Sequence, residues 1–220
     1  RRKVSEALVR TRFLGVGNPS ESGVHLLYYF RQENGLSKKL FLDSAAVFAN
    51  QILPDGSSRR TLAQPTVDRY VFVDDVCGSG KTAVDYSKNI LADIRSLKPG
   101  AKLYYLSMFA SSDGLKNVRE NTKFGTNCGA VFELDESYRC LTEHSRIMHA
   151  APPHIDGASL RQMALWYGKM LLPRHPAGYD NSQLLLGFHH NTPDNTLPIV
   201  WAEGTSAQAW TPAFRRYPKF

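Results

Sequence analysis

Apolar residues run along this chain in short blocks divided by polar turns, and the spacing inside each block predicts its element. Residues 1–14 place Val4, Ala7 and Leu8 on one side of a short basic helix, and the Gly-, Ser-, Asn- and Pro-rich stretch 15–23 predicts a loop. Val24 to Phe30 is apolar, aromatic and β-prone and predicts a strand, with the polar turn Arg31–Gly35 at its end. Residues 40–42 predict a short strand and 44–52 a helix. Turn residues gather over 54–64 together with Arg59 and Arg60, which predicts a mobile basic loop. A strand over 70–75 and a helix over 81–96 follow, the helix carrying Ala83, Tyr86, Ile90 and Ile94 at helical spacing. Strands at 103–110 and 130–134 flank a helix at 113–121. Strands alternating with helices predict a parallel α/β sheet, whose ligands sit at the carboxyl ends of its strands.

The pattern changes after the break Ala150–Pro153. A helix over 159–172 carries Leu160, Met163, Tyr167 and Leu171 on one face, and a loop over 173–180 holds Arg174 and His175. A strand at 184–188, a turn-dense polar loop at 189–198 and a short apolar run at 199–201 follow, ahead of an aromatic and basic tail. One domain is expected for 220 residues. It divides into an N-terminal helix and loop (1–23), an α/β core (24–149) and a C-terminal extension (150–220).

The chemistry concentrates between Tyr70 and Ala83, which read Tyr-Val-Phe-Val-Asp-Asp-Val-Cys-Gly-Ser-Gly-Lys-Thr-Ala. Four apolar residues form a buried parallel strand, Asp74 and Asp75 follow at its carboxyl end, and a Gly-Ser-Gly turn leads into a helix. A tight turn at a helix N-terminus cradles phosphate, because free backbone N–H groups and the helix dipole favour an anion there. Two carboxylates beside it would themselves repel a phosphate but suit a ribose diol or a Mg²⁺ ion, so the expected ligand is a sugar phosphate. Gly80-Lys81-Thr82 resembles the end of a Walker A loop, but that motif needs glycine where Asp75 stands. A dinucleotide fingerprint fails because an acid replaces its early glycine.

Charge and cysteine content add less. An excess of 27 basic over 20 acidic residues gives a net charge of +7, which suits a phosphorylated metabolite or nucleic acid and equally an ordinary basic surface. Cys77, Cys128 and Cys140 show no metal or redox spacing, and so sparse a count fits a reducing cytosol. No apolar run is long enough to span a membrane, so a cytoplasmic location is expected. His189 and His190 would point to opposite faces of a strand and share no metal easily.

Residues 70–82 resemble the 5-phosphoribosyl-1-pyrophosphate (PRPP) motif of type I phosphoribosyltransferases: four apolar residues, two acids, two apolar residues and a small-residue phosphate loop. The resemblance implies a parallel-sheet type I fold with a hood-like C-terminal extension. It implies that Asp74 and Asp75 hold the ribose hydroxyls and Mg²⁺, and that Gly78, Ser79, Gly80, Lys81 and Thr82 wrap the 5′-phosphate of PRPP or a related nucleotide. Gly78 departs from the family, which usually carries Thr, Ser, Ala, Val or Asp there. By order along the chain, Arg31, Asn34 and Gly35 fall on the pyrophosphate loop. Arg59 and Arg60 fall on the mobile catalytic loop, although two solvated arginines fit as well. The segment Asn191–Asn195 has the place of a hood that receives the nucleophile, or of a simple capping turn.

Arg174-His175-Pro176, Gly178-Tyr179, His190–Pro198, Trp201 and Trp210-Thr211-Pro212 are similar to a subgroup found in bacterial conflict systems, including retron-type antiphage operons. Membership would imply a defence effector, a reverse transcriptase with its RNA or DNA as partner, and, from the wider family, a homodimer. Two functions stay open: a phosphoribosyl-transferring effector, and a catalytically silent module of the same fold that senses a nucleotide or docks a ribonucleoprotein.

Overall fold

The computed structural model describes residues 2–17, 22–189, 191–204 and 209–217. The chain forms two compact units, Arg1–Glu133 and Leu134–Phe220.

The first unit is the expected α/β structure with a parallel four-stranded sheet. Helix α1 (Arg2–Val9) leads into strand β1 (Thr11–Gly15), and helix α2 spans Ser22–Glu33. A hairpin of β2 (Phe48–Ile52) and β3 (Ser58–Leu62) precedes the motif strand β4 (Arg69–Cys77) and helix α3 (Lys81–Leu97). Strand β5 (Lys102–Ser111), helix α4 (Ser112–Asn121) and strand β6 (Cys128–Leu134) complete it. The sheet order is β1-β4-β5-β6, with β1 and β5 both parallel to the central β4. Leu14, Tyr70, Phe72, Leu91, Ile94, Leu103, Tyr105, Leu115 and Phe124 are buried together in the main core. Phe13, Leu27 and Val73 form a second cluster with Leu26, Phe30 and Phe41.

The expected strand over 24–30 is helical. Leu26, Leu27 and Phe30 pack on Phe13 and Val73, whereas Tyr28 and Tyr29 stand 53% and 51% exposed. That i, i+1, i+4 burial is a helix face rather than a strand's alternation. The sheet strand in this part of the chain is β1, which takes the end of the expected helix 1–14 and the first residue of the expected loop; its backbone pairs residue by residue from Thr11↔Arg69 to Gly15↔Val73. Arg31–Gly35 is therefore a helix terminus and not a turn after a strand. Gly35 adopts φ +59°, its N–H bonds Gln32 O at 3.1 Å, and Leu36 N–H bonds Arg31 O at 3.0 Å. These two bonds are a Schellman C-cap, which glycine favours because it tolerates the left-handed conformation.

Three shorter expectations also change. Residues 40–42 supply one bridge, Phe13↔Phe41, after a 3₁₀ turn over Lys38–Leu40. The expected helix 44–52 is a 3₁₀ turn, capped by the Asp43 side chain, that runs into β2. The expected loop 54–64 is the Asp55-Gly56 hairpin turn with β3, a pairing that Asp-Gly between β-prone residues favours.

The second unit contains helices α5 (Arg146–His149), α6 (Gly157–Leu171) and α7 (Pro198–Trp201). The expected strand 184–188 is reduced to one bridge, Leu184↔Thr196. The apolar run at 199–201 is helical, with Pro198 at its first turn, where a missing N–H has no cost. Cys140, Leu141, Ala164, Ala177 and Leu197 make this unit's core. Among the described residues, no helix is long and apolar enough to cross a membrane.

Candidate functional site

Strand β4 delivers the two acids to its carboxyl end, and they differ. Asp74 continues the buried row of Tyr70 and Phe72 and is 8% exposed. Its Oδ2 accepts the Tyr105 hydroxyl at 2.7 Å and its Oδ1 accepts the Asp75 N–H at 3.0 Å. Burial, and then the neighbouring Asp75 charge, push its carboxyl up to about 8. Asp75 is half-buried, and its Oδ1 accepts the Val76 N–H at 2.9 Å. Cys77 is buried within reach of the Tyr105 hydroxyl, and burial pushes its thiol up to about 12. It is a packing residue rather than a nucleophile.

The loop Gly78–Thr82 is held from behind by α4. Ser111 Oγ donates to Gly78 O at 2.5 Å and accepts the Gly114 N–H at 2.9 Å. Asn117 Nδ2 donates to Ser79 O at 2.7 Å. Gly80 adopts φ +73°, and a Cβ there would stand 2.6 Å from Gly114 O. The Gly78 and Ser79 carbonyls are drawn back toward α4, Gly80 begins α3 without a capping side chain of its own, and the Lys81 N–H donates to Ser79 Oγ at 3.4 Å. This is an anion cradle made by backbone geometry.

At the end of β1, Gly15 and Gly17 line a cavity of about 530 Å³ with Tyr28, Arg31, Lys38 and Tyr86. Strand pairing puts Gly15 beside Val73, and Val16 N–H bonds Val73 O at 3.0 Å. The cavity thus adjoins the acidic end of β4. Arg31 reaches this region from a helix. Asn34 bonds its own helix at Phe30 O (2.9 Å), and Gly35 serves as the cap.

The hairpin arginines also differ. Arg60 Nη1 lies 2.6 Å from Asp93 Oδ2 and its guanidinium sits 3.9 Å over the Phe48 ring. Arg59 is exposed on β3. In the second unit, Asn191 Oδ1 accepts the N–H groups of Thr192 and Tyr217, both at 3.0 Å. Asp135 caps the turn over Glu136–Tyr138. Trp201 Nε1 donates to Thr196 O at 2.8 Å, and Trp210 packs 5.1 Å from Tyr167. His190 lies outside the described residues, as do positions 18–21 of the expected loop and 218–220 of the tail.

A match to the PRTase-CE family extends over residues 1–216. The chain belongs to the PRTase-CE family. Among solved structures, it is similar to Helicobacter pylori xanthine-guanine-hypoxanthine phosphoribosyltransferase: 14% identity, 74% of this chain and 86% of that one, TM-score 0.33. It is also similar to Trypanosoma brucei adenine phosphoribosyltransferase, at 16% identity over 70% of this chain and 68% of that one, TM-score 0.35. Orotate phosphoribosyltransferase from Aeropyrum pernix follows at 15% identity, 59% and 64% coverage, TM-score 0.34. Among curated protein sequences, none matches.

Within this PRTase-CE chain, sequence reasoning placed Asp74, Asp75 and the Gly78–Thr82 turn on their elements but missed the residues that support them. Gly15 and Gly17 were hidden by the misassigned strand. Ser111, Gly114 and Asn117 carry a weak local signal, a capping serine before a glycine at a helix start. Tyr105 carries none, since it meets Asp74 only through the pairing Phe72↔Tyr105.

Proposed function

We propose that this protein binds PRPP or a related ribose 5-phosphate nucleotide at residues 70–82 and transfers its phosphoribosyl group. The observation that carries this reading is the backbone cradle Gly78–Thr82, pinned to α4 and following directly on Asp74 and Asp75. The cradle takes the 5′-phosphate through backbone N–H groups, with Lys81 adding charge. The acidic end of β4 takes the ribose hydroxyls. The cavity beside Gly15 and Gly17 receives the pyrophosphate end, where Arg31 and Lys38 supply positive charge.

In transfer, the C1–O bond to pyrophosphate breaks as the acceptor attacks C1 from the other face, and pyrophosphate leaves with the bonding electrons. The residues above bind, orient and neutralise, which is the larger part of such catalysis. Arg59 and Arg60 on the hairpin are placed in the chain to screen the leaving group and exclude water.

Mg²⁺ fits this site in one way. Among the described residues no three His, Cys, Asp or Glu side chains gather to hold a metal, and both Asp74 oxygens already accept hydrogen bonds. Mg²⁺ arriving on a diphosphate keeps most of its oxygens from that ligand and water, with Asp75 as the protein oxygen. Bound so, it would offset the charge of the departing pyrophosphate.

The second reading, a silent nucleotide sensor, is favoured by the internal engagement of Asp74. The C-terminal motifs support a role as an antiphage effector beside a reverse transcriptase, and the wider family a homodimer. Calorimetry with PRPP and Mg²⁺ tests the site: binding that Asp75→Asn abolishes is expected, and no binding by the wild type overturns the reading. Mass spectrometry of nucleotides and RNA after incubation then separates enzyme from sensor.

A further inference from the structure

The acids of the motif occupy unlike surroundings. Asp74 is 8% exposed and Tyr105, on the adjacent strand, is 1% exposed. The Tyr105 hydroxyl reaches diagonally across the strand pair from its partner Phe72 to Asp74, and its ring packs 5.6 Å from Phe124. The second Asp74 oxygen receives the Asp75 N–H at 3.0 Å. A carboxyl group buried in the core, with both oxygens engaged by Tyr105 and the Asp75 N–H, is turned away from a ligand. Asp75 is half-exposed, its Oδ1 accepts the Val76 N–H at 2.9 Å, and its side chain also lies within hydrogen-bond reach of the Asp74 carboxyl.

We propose that the pair divides its roles: Asp75 meets the ribose hydroxyls, while Tyr105 and Asp74 form a buried strut that fixes the Asp75 backbone. Tyr105 is thereby a positioning residue. Hydroxyl, carboxyl and amide form a chain, with the Tyr105 Oη–H and the Asp75 N–H both donating to Asp74, and that chain aims the Asp75 side chain. A buried tyrosine that merely satisfied its own hydroxyl would stabilise the core without affecting what Asp75 binds. This proposal rests on the ribose 5-phosphate reading above.

Two measurements on the full chain test it. The first is the affinity ratio for ribose 5-phosphate over 2-deoxyribose 5-phosphate, which a purely structural residue would not move. From the net value of a charged hydrogen bond, a wild-type ratio of about 10 is expected, falling to about 1 in Asp75→Asn and to about 3 in Tyr105→Phe and Asp74→Asn. The double variant Tyr105→Phe/Asp74→Asn should match either single one, because both break the same chain. The second is hydrogen exchange of the Asp75 amide by NMR, without ligand. Tyr105→Phe, which keeps the ring, should speed it about tenfold while amides in α3 are unchanged.

A ratio lost in Asp74→Asn but intact in Tyr105→Phe would make Asp74 the ligand group and overturn the proposal. Unchanged Asp75 exchange in Tyr105→Phe would overturn the strut whatever the ligand. A wild type that binds neither sugar phosphate would overturn the assigned role of Asp75 together with the ligand reading, and the exchange experiment would still decide the strut.

Discussion

Gly114 lies against the carbonyl oxygen of Gly78: a Cβ on Gly114 would fall well inside contact with that oxygen and stand 2.9 Å from Cys77 O. The Gly78–Thr82 loop and the start of α4 touch backbone to backbone, which only glycine permits. Gly114→Ala should push the loop off α4, destabilise the first unit by about 1–3 kcal/mol and weaken ribose 5-phosphate binding. Thermal unfolding and calorimetry check this; a variant with native stability and affinity would show that the loop is not pinned there.

Asp74 should make stability depend on pH. Burial and the adjacent Asp75 charge raise its carboxyl from the ordinary 3.8 to about 8. A carboxyl raised on folding leaves stability fully present below its unfolded value, and that stability is lost as pH rises toward the folded value. Between about pH 4 and 8 the loss is up to about 1.4 kcal/mol per unit. Asp74→Asn removes the slope. Urea midpoints across that range, compared between wild type and variant, measure it, and equal slopes would contradict the burial argument.

Thiol reactivity follows the same physics. Burial holds Cys77 at about 12 and both Cys128 and Cys140 at about 11, so the reactive thiolate is scarce at neutral pH. The native protein should react slowly with a disulfide reagent at all three cysteines, and the urea-unfolded chain rapidly. Fast labelling of native Cys77, read by mass spectrometry, would restore it as a candidate nucleophile.

In the second unit Arg216 ties the tail to the polar loop. Its Nη1 donates to Thr192 O at 2.5 Å, its Nη2 to Asp194 Oδ2 at 3.0 Å, and it lies 5.2 Å over the Trp201 ring. Arg216→Ala should cost about 1–3 kcal/mol. Arg216→Lys should recover little of it, because an ammonium lacks the planar fork. Thermal melts of the two variants decide the point.

Arg60 is anchored by Asp93 and Phe48, whereas Arg59 is not. An exposed pair of this kind contributes about 0–1 kcal/mol, so Arg60→Ala should barely change the melting temperature. If Arg60 serves the leaving group it must first leave Asp93, and Asp93→Asn should then raise the transfer rate while Arg59→Ala lowers it. Rates unaffected by either change would remove the hairpin from the reaction.

Local signals were strong wherever one element explained itself. The run Tyr70–Val73 is apolar on both faces, and the Gly-Ser-Gly turn before Lys81 has no competing reading, so strand, loop and helix stand within two residues of expectation. Val24–Phe30 failed because β-prone composition outweighed a helical burial pattern that appears only once Phe13 and Val73 are present to face it. Thr11–Gly15 failed for the complementary reason: an edge strand of a parallel sheet is defined by its partner, here β4, more than fifty residues away.

The sequence by itself determined the α/β class, the order of loop and helix after β4, and the presence of two acids beside an anion cradle, because each depends on neighbours along the chain. Only the tertiary structure decided which acid is buried, since Tyr105 reaches Asp74 through strand register. It also decided that Arg31 comes from a helix to the end of β1, and that Ser111, Gly114 and Asn117 back the Gly78–Thr82 loop. The Tyr105, Ser111 and Asn117 contacts join residues more than thirty apart in sequence, where spacing carries no information and packing alone selects the partner.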